Sequence, residues 1–130
     1  MRLEELKLAQ KGKTQLTIIF TAPPDLVSEG DRLFASHADW MVKPHHRDGP
    51  LALLSYNIVK GPELSNALDP SSAPTGNTSY VLDEVYESQA GLDEHWRTSS
   101  DWSEMGALVA WAGKCKVTTV HGSPVIHSLW

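Results

Sequence analysis

Residues 79–102 read Ser-Tyr-Val-Leu-Asp-Glu-Val-Tyr-Glu-Ser-Gln-Ala-Gly-Leu-Asp-Glu-His-Trp-Arg-Thr-Ser-Ser-Asp-Trp. This stretch has the pattern of a strand that runs straight into a helix. Side chains alternate across a strand, so Tyr80, Leu82, Glu84 and Tyr86 share one face. Ser88 suits the N-cap of the helix. Beyond it Leu92, His95, Ser99 and Trp102 recur at i, i+3, i+7 and i+10, along one side of that helix. A carboxylate and two phenols leave the strand, while an imidazole and the indoles of Trp96 and Trp102 lie on the helix. That is more polar chemistry than a core-forming strand–helix pair needs.

Outward from this stretch, the pattern before it supplies a strand, a helix and a second strand. Residues 15–21 are β-branched and apolar, which predicts the first strand. Pro23 and Pro24 end it, and Asp25 or Ser28 is expected to cap a helix whose first turn holds Glu29 and Asp31. Leu33, Phe34, His37, Trp40 and Met41 then form an apolar stripe with His37 inside it. Pro44 closes that helix. His45 and His46 fall in the next loop, beside a strand start where functional groups often sit. Residues 51–60 predict a second strand, with Ala52, Leu54, Tyr56 and Ile58 on one face. Residues 61–78 hold three prolines, Gly61 and Gly76, and read as a long loop.

Toward the C-terminus, the chain shows a break near Thr98, Ser99 and Ser100, with Ser100 or Asp101 capping a new segment. Met105, Leu108, Val109 and Ala112 continue the apolar stripe to a C-cap at Gly113. Residues 114–121 predict the fourth strand, Gly122-Ser123-Pro124 a turn, and residues 125–130 an extra C-terminal strand. The division is thus an N-terminal extension over 1–14 and a single domain over 15–130. The order strand, helix, strand, strand, helix, strand is the ferredoxin-like split βαβ arrangement, an α+β fold with an antiparallel sheet.

Composition narrows the function classes. The chain has 130 residues and a net charge of −5, and no basic stripe is visible, so nucleic acid is not an expected partner. No apolar run approaches the roughly 20 residues that span a bilayer, so no membrane is expected either. The N-terminus lacks the apolar core of a secretory signal. The lone Cys115 suits a reducing compartment, which together points to a cytoplasmic protein. Five Trp and six His are the unusual features; Trp at this density builds an aromatic core, a pocket or a subunit interface. Cys115 between Lys114 and Lys116 reads as a small packing residue, and no Gly-x-Ser-x-Gly elbow or Gly-rich dinucleotide fingerprint is present.

The run Tyr80-Val-Leu-Asp-Glu84-Val-Tyr86, then Ala90, His95 and the Ser-rich break before Trp102, resembles the antibiotic biosynthesis monooxygenase family of the dimeric α/β-barrel superfamily. The resemblance implies a homodimer whose two sheets pack into a barrel, with a pocket between each sheet and its helices. It implies oxidation or isomerisation of a small aromatic, quinol-like or polyketide-like molecule without cofactor or metal. The haem-degrading branch relies on an Asn in the first strand, and residues 15–21 contain none.

If such a pocket exists, His95, Glu84 and His37 are the candidate catalytic groups. Trp40, Tyr56, Tyr86, Trp96, Trp102 and His45 are the candidate substrate-binding groups. His95 or Glu84 would deprotonate a phenol or quinol, whose anion reduces dioxygen directly while aromatic walls exclude water. Three other readings stand beside this one. Glu84 and His95 could pair only to fix the strand–helix junction, since a buried carboxylate needs a partner in any case. The fold could serve a non-catalytic dimer that binds a small apolar ligand. Six His with several carboxylates could assemble a metal site for a metal-dependent enzyme or an isomerase, although no His-x-x-x-His spacing appears and no metal is expected.

Overall fold

The computed structural model describes residues 10–129. Strand β1 (Thr14–Ala22) leads through a single 3-10 turn (Pro24–Leu26) into helix α1 (Val27–Met41). Two long strands come next, β2 (Leu53–Leu64) and β3 (Pro74–Tyr86). Helices α2 (Gln89–Ser99) and α3 (Met105–Ala112) then precede the last strand, β4 (Lys116–Pro124). The four strands form one antiparallel sheet in the order β2-β3-β1-β4. Each half of the chain is therefore a strand–helix–strand unit with a strand of the other half inserted between its two strands. This order matches the ferredoxin-like arrangement expected from the pattern.

Helices α1, α2 and α3 cover one face of the sheet. Period-two alternation sends Leu16, Ile18 and Phe20 of β1 and Tyr80, Leu82, Glu84 and Tyr86 of β3 to that side. There Phe20, Tyr80 and Leu82 pack with Leu33 and Phe34 of α1, Leu108 and Trp111 of α3, and Trp102 between the helices. Leu16 and Tyr86 pack with Leu92 of α2. Two buried polar groups pin the start of α1 to this core. The Trp111 indole donates to the Leu26 carbonyl at 2.8 Å, and the Tyr80 hydroxyl donates to Asp31 at 2.7 Å. The opposite face carries Ile19, Val59 and Val120, all exposed, together with a Gln15–Thr17–Asp83 hydrogen-bond group.

Several expectations need correction. Residues 61–78 are not a long loop: β2 and β3 extend to Leu64 and from Pro74, leaving a short hairpin connection. Gly122-Ser123-Pro124 belongs to β4 rather than to a turn, and a register shift opposite Gln15 and Thr17 marks a bulge there. Residues 125–129 have no strand structure; Val125 alone continues the pairing, through backbone bonds with Gly12 and Lys13. Trp130 lies outside the described residues, as does most of the 1–14 extension. A second register shift, between Leu53 and Ser55, turns Leu53 inward and leaves Leu54 half-exposed, against the expected alternation. The helix starts also differ. Leu26 and Glu104 take the N-cap positions of α1 and α3. Ser88 takes that of α2, but its hydroxyl donates to the Pro50 carbonyl at 2.6 Å instead of capping. Among the described residues, no helix is long and apolar enough to cross a membrane.

Candidate functional site

Glu84 lies on the helix-covered face of β3 and is completely buried. Its register neighbours across the sheet are Leu16 of β1 and Tyr56 of β2. Two residues on, and therefore on the same face, Tyr86 donates its hydroxyl to Glu84 Oε1 at 2.5 Å. The other oxygen, Oε2, has no hydrogen-bond partner among the described residues although no solvent reaches it. A buried polar atom left unpaired costs about 1–3 kcal/mol, so such a group calls for a functional reading.

Two helices bring imidazoles to this carboxyl. His37 arrives from the apolar stripe of α1 and His95 from that of α2, both buried. His95 Nε2 stands 3.8 Å from Glu84 Oε1. A ring nitrogen of His37, one of His95 and a carboxylate oxygen of Glu84 all lie within 4.8 Å of one another. Each imidazole is held from behind. His37 Nδ1 bonds the Tyr56 hydroxyl at 2.6 Å, and His95 Nδ1 bonds His45 Nε2 at 2.9 Å. His45 in turn bonds the Met41 carbonyl, 2.9 Å away, through Nδ1.

Burial sets the charge state. It pushes the Glu84 carboxyl up to about 7, against the opposing hydrogen bond from Tyr86. It pulls His37 down to about 4 and His95 down to about 3, with the neighbouring His45 adding to both shifts. His45 is also lowered, chiefly by burial. Glu84 and His95 are therefore not an ion pair near neutral pH: the histidines are neutral and the carboxyl is poised to gain or lose a proton. Burial likewise raises the Tyr56 and Tyr86 phenols well above their ordinary range.

Two cavities flank the cluster. The inner one, of about 140 Å³, lies between the sheet and the helices. Ile18, Phe20 and Leu82 form its floor and Trp40, Trp96 and Trp102 its walls, with His37 and His95 at its edge. The outer cleft, of about 240 Å³, is lined by Met41, His45, Arg47, Leu53, Ser55 and Tyr56, among others. Hence the Tyr56–His37 and His45–His95 hydrogen bonds each join a group on one cavity to a group on the other.

All nine site residues expected from sequence fall in this one region. Trp40 and Trp102 lie against His37, Trp96 against His95, and Tyr86 against both His45 and His95. His46 does not join them: it makes an isolated bridge to Ala52. Sequence reading did not supply the Met41 carbonyl, because a backbone acceptor leaves no trace in residue identity. It also missed Ile18 and Leu82, whose apolar side chains have nothing to distinguish cavity floor from core.

Among the described residues, His37, Glu84 and His95 are the set that could hold a metal ion. Bonds of 2.0–2.2 Å would bring such donors to within about 3–3.5 Å of one another, so the set stands slightly open for one. No family model matches the chain, and no curated protein or solved structure matches it either. The resemblance to the antibiotic biosynthesis monooxygenases therefore rests on the strand–helix motif around Glu84 and His95.

Proposed function

We propose that this chain is an enzyme of the antibiotic biosynthesis monooxygenase kind, which oxidises a small aromatic phenol or quinol without a cofactor. The observation that carries the reading is Glu84: a fully buried carboxyl with an unpartnered oxygen, next to the neutral imidazole of His95, which itself lines an aromatic-walled cavity. A cavity near 150 Å³ takes one benzene ring, so the inner cavity of about 140 Å³ is sized for a single aromatic ring. Indole walls suit a flat ring, and the ring's hydroxyl is directed to the polar groups at the cavity edge.

The chemistry follows from that placement. The hydroxyl gives its proton to the Glu84–His95 pair. The resulting anion, held away from water, passes electrons to dioxygen. One oxygen atom enters the ring carbon that loses hydrogen, and the other leaves as water with that hydrogen and the proton returned by the pair, so a phenol becomes a quinone. The protein contributes orientation and a base matched to neutral pH rather than a redox centre.

The proposed assembly is a homodimer. Among the described residues no helix lies over the sheet face that carries Ile19, Val59 and Val120, and the resemblance implies a second sheet packed there.

Oxygen uptake with a panel of one-ring quinols and larger anthrones, in the presence of a chelator, tests this reading. Turnover confined to the one-ring compounds and indifferent to the chelator is expected. Activity that vanishes on chelation and returns with a divalent metal would overturn the cofactor-free reading and assign His37, Glu84 and His95 to that metal.

A further inference from the structure

The direction of the hydrogen bonds around His95 can be read from one fixed point. A carbonyl oxygen only accepts, so His45 Nδ1, 2.9 Å from the Met41 oxygen, carries a hydrogen. Neutral His45 then has a bare Nε2, which must accept from His95 Nδ1 at 2.9 Å. His95 thus bears its proton on Nδ1, and its Nε2 lone pair faces Glu84 at 3.8 Å. Two acceptors would confront each other there unless the carboxyl holds a proton. The oxygen that faces His95 is Oε1, which also accepts from the Tyr86 hydroxyl, so the proton that relieves the clash sits on Oε1, while Oε2 is the unpartnered atom.

From this we infer that Glu84, His95 and His45 form a directed proton path from the buried carboxyl to the outer cleft, with His45 as its terminus. The inference rests on the reading of Glu84 as the proton acceptor, because a sealed carboxyl that rests protonated must be emptied before it can take the substrate's proton. Transfer needs the 3.8 Å gap to close by about 1 Å, to hydrogen-bond length. The Glu84 O–H bond then breaks as an N–H bond forms at His95 Nε2, and His95 Nδ1–H passes to His45 Nε2. His95 is left neutral in its other tautomer, Glu84 as carboxylate and His45 as imidazolium, still bonded to the Met41 carbonyl. His45 stands half-buried in the loop between α1 and β2, where rotation of its ring delivers the proton to the cleft.

Tyr56 and His37 form a second link between the same two cavities. Its outer end is a neutral phenol whose proton burial holds more tightly than usual, so it does not release one near neutrality. That leaves His45 as the exit.

Nitrogen NMR of the labelled full chain at neutral pH reads the tautomers without any substrate. The path requires His95 protonated at Nδ1 and bare at Nε2, with His45 protonated at Nδ1. Replacing His45 by Phe should flip His95 to the Nε2–H form, now donating to Glu84. Wild-type His95 found protonated at Nε2 would overturn the inference, as would a His95 tautomer unmoved by His45→Phe. If that variant does not fold, the wild-type spectrum alone decides. With a turned-over quinol in hand, His45→Phe should lose rate and regain it on adding free imidazole, for which the 240 Å³ cleft has room. A His45→Phe enzyme at full rate would overturn the path while leaving the base chemistry standing.

Discussion

The single residue on which the account turns is Glu84, and its burial carries a thermodynamic signature. Its carboxyl is raised from 4.5 to about 7 in the folded chain. The unfolded chain loses that proton first, so the group favours folding below pH 4.5, and the benefit disappears as pH climbs to 7. His37 and His95 act the opposite way. The unfolded chain protonates them near 6.5, the native one only near 4 and 3, so they remove stability as pH falls. Between about pH 4.5 and 6.5 two histidines gain protons on unfolding while one carboxyl loses its own, a net uptake of one. These three groups should therefore make the protein most stable near pH 7, losing on the order of 1 kcal/mol per unit of acidification. Urea melts across that range check the slope. Above pH 7 the ionised Glu84 is a burden, so Glu84→Gln should melt no lower than wild type at pH 8; a large loss there would mean the carboxylate is a structural partner.

At the scale of elements, packing leaves little room where helix meets sheet. A side chain at Gly30 of α1 would place its Cβ 2.6 Å from the Trp111 ring and 3.1 Å from that of Tyr80. Gly30→Ala should cost about 1–3 kcal/mol by overpacking, despite its better helix propensity, and calorimetry reads this as a lowered Tm. Much of the element pattern is legible in the sequence. Leu33, Phe34, His37 and Met41 recur at helical spacing, and Tyr80 to Tyr86 alternate, because period is written in residue identity. The 61–78 segment is not legible, because Pro and Gly usually mark loops. Here β2 is an edge strand that tolerates Pro62, and Pro74 is the first residue of β3, where no ladder bond is missed. Gly122 misleads in the same way: its φ of +64° serves a bulge within β4, not a turn. The candidate site is legible as a set of residues, since polar groups on otherwise apolar faces stand out. Its hydrogen-bond order is not, because His45 and His95 are far apart in the chain.

On the scale of the whole molecule, the sheet face that no helix of the described residues covers decides the expected assembly. Val59 and Val120 are each more than half exposed there, and Ile19 lies on the β1 strand between their two strands. Sedimentation at micromolar concentration should give about twice the 14.3 kDa chain mass. Ile19→Lys, which points a charge into the proposed sheet–sheet contact, should shift the protein to monomer without disturbing the helix-covered core. A wild-type monomer at that concentration would remove the barrel from the account.

The base chemistry is the centre of the whole reading, and the rates of three proteins test it most directly. Wild type, Glu84→Gln and His95→Ala are compared for oxygen uptake with the same one-ring quinol, and their melting temperatures are measured alongside. Loss of the proton acceptor should lower the rate on the order of 10²–10⁴-fold in each variant while both remain folded. Variants that stay folded and turn over at the wild-type rate would contradict the account, and would leave Glu84 and His95 as the fastening of strand to helix.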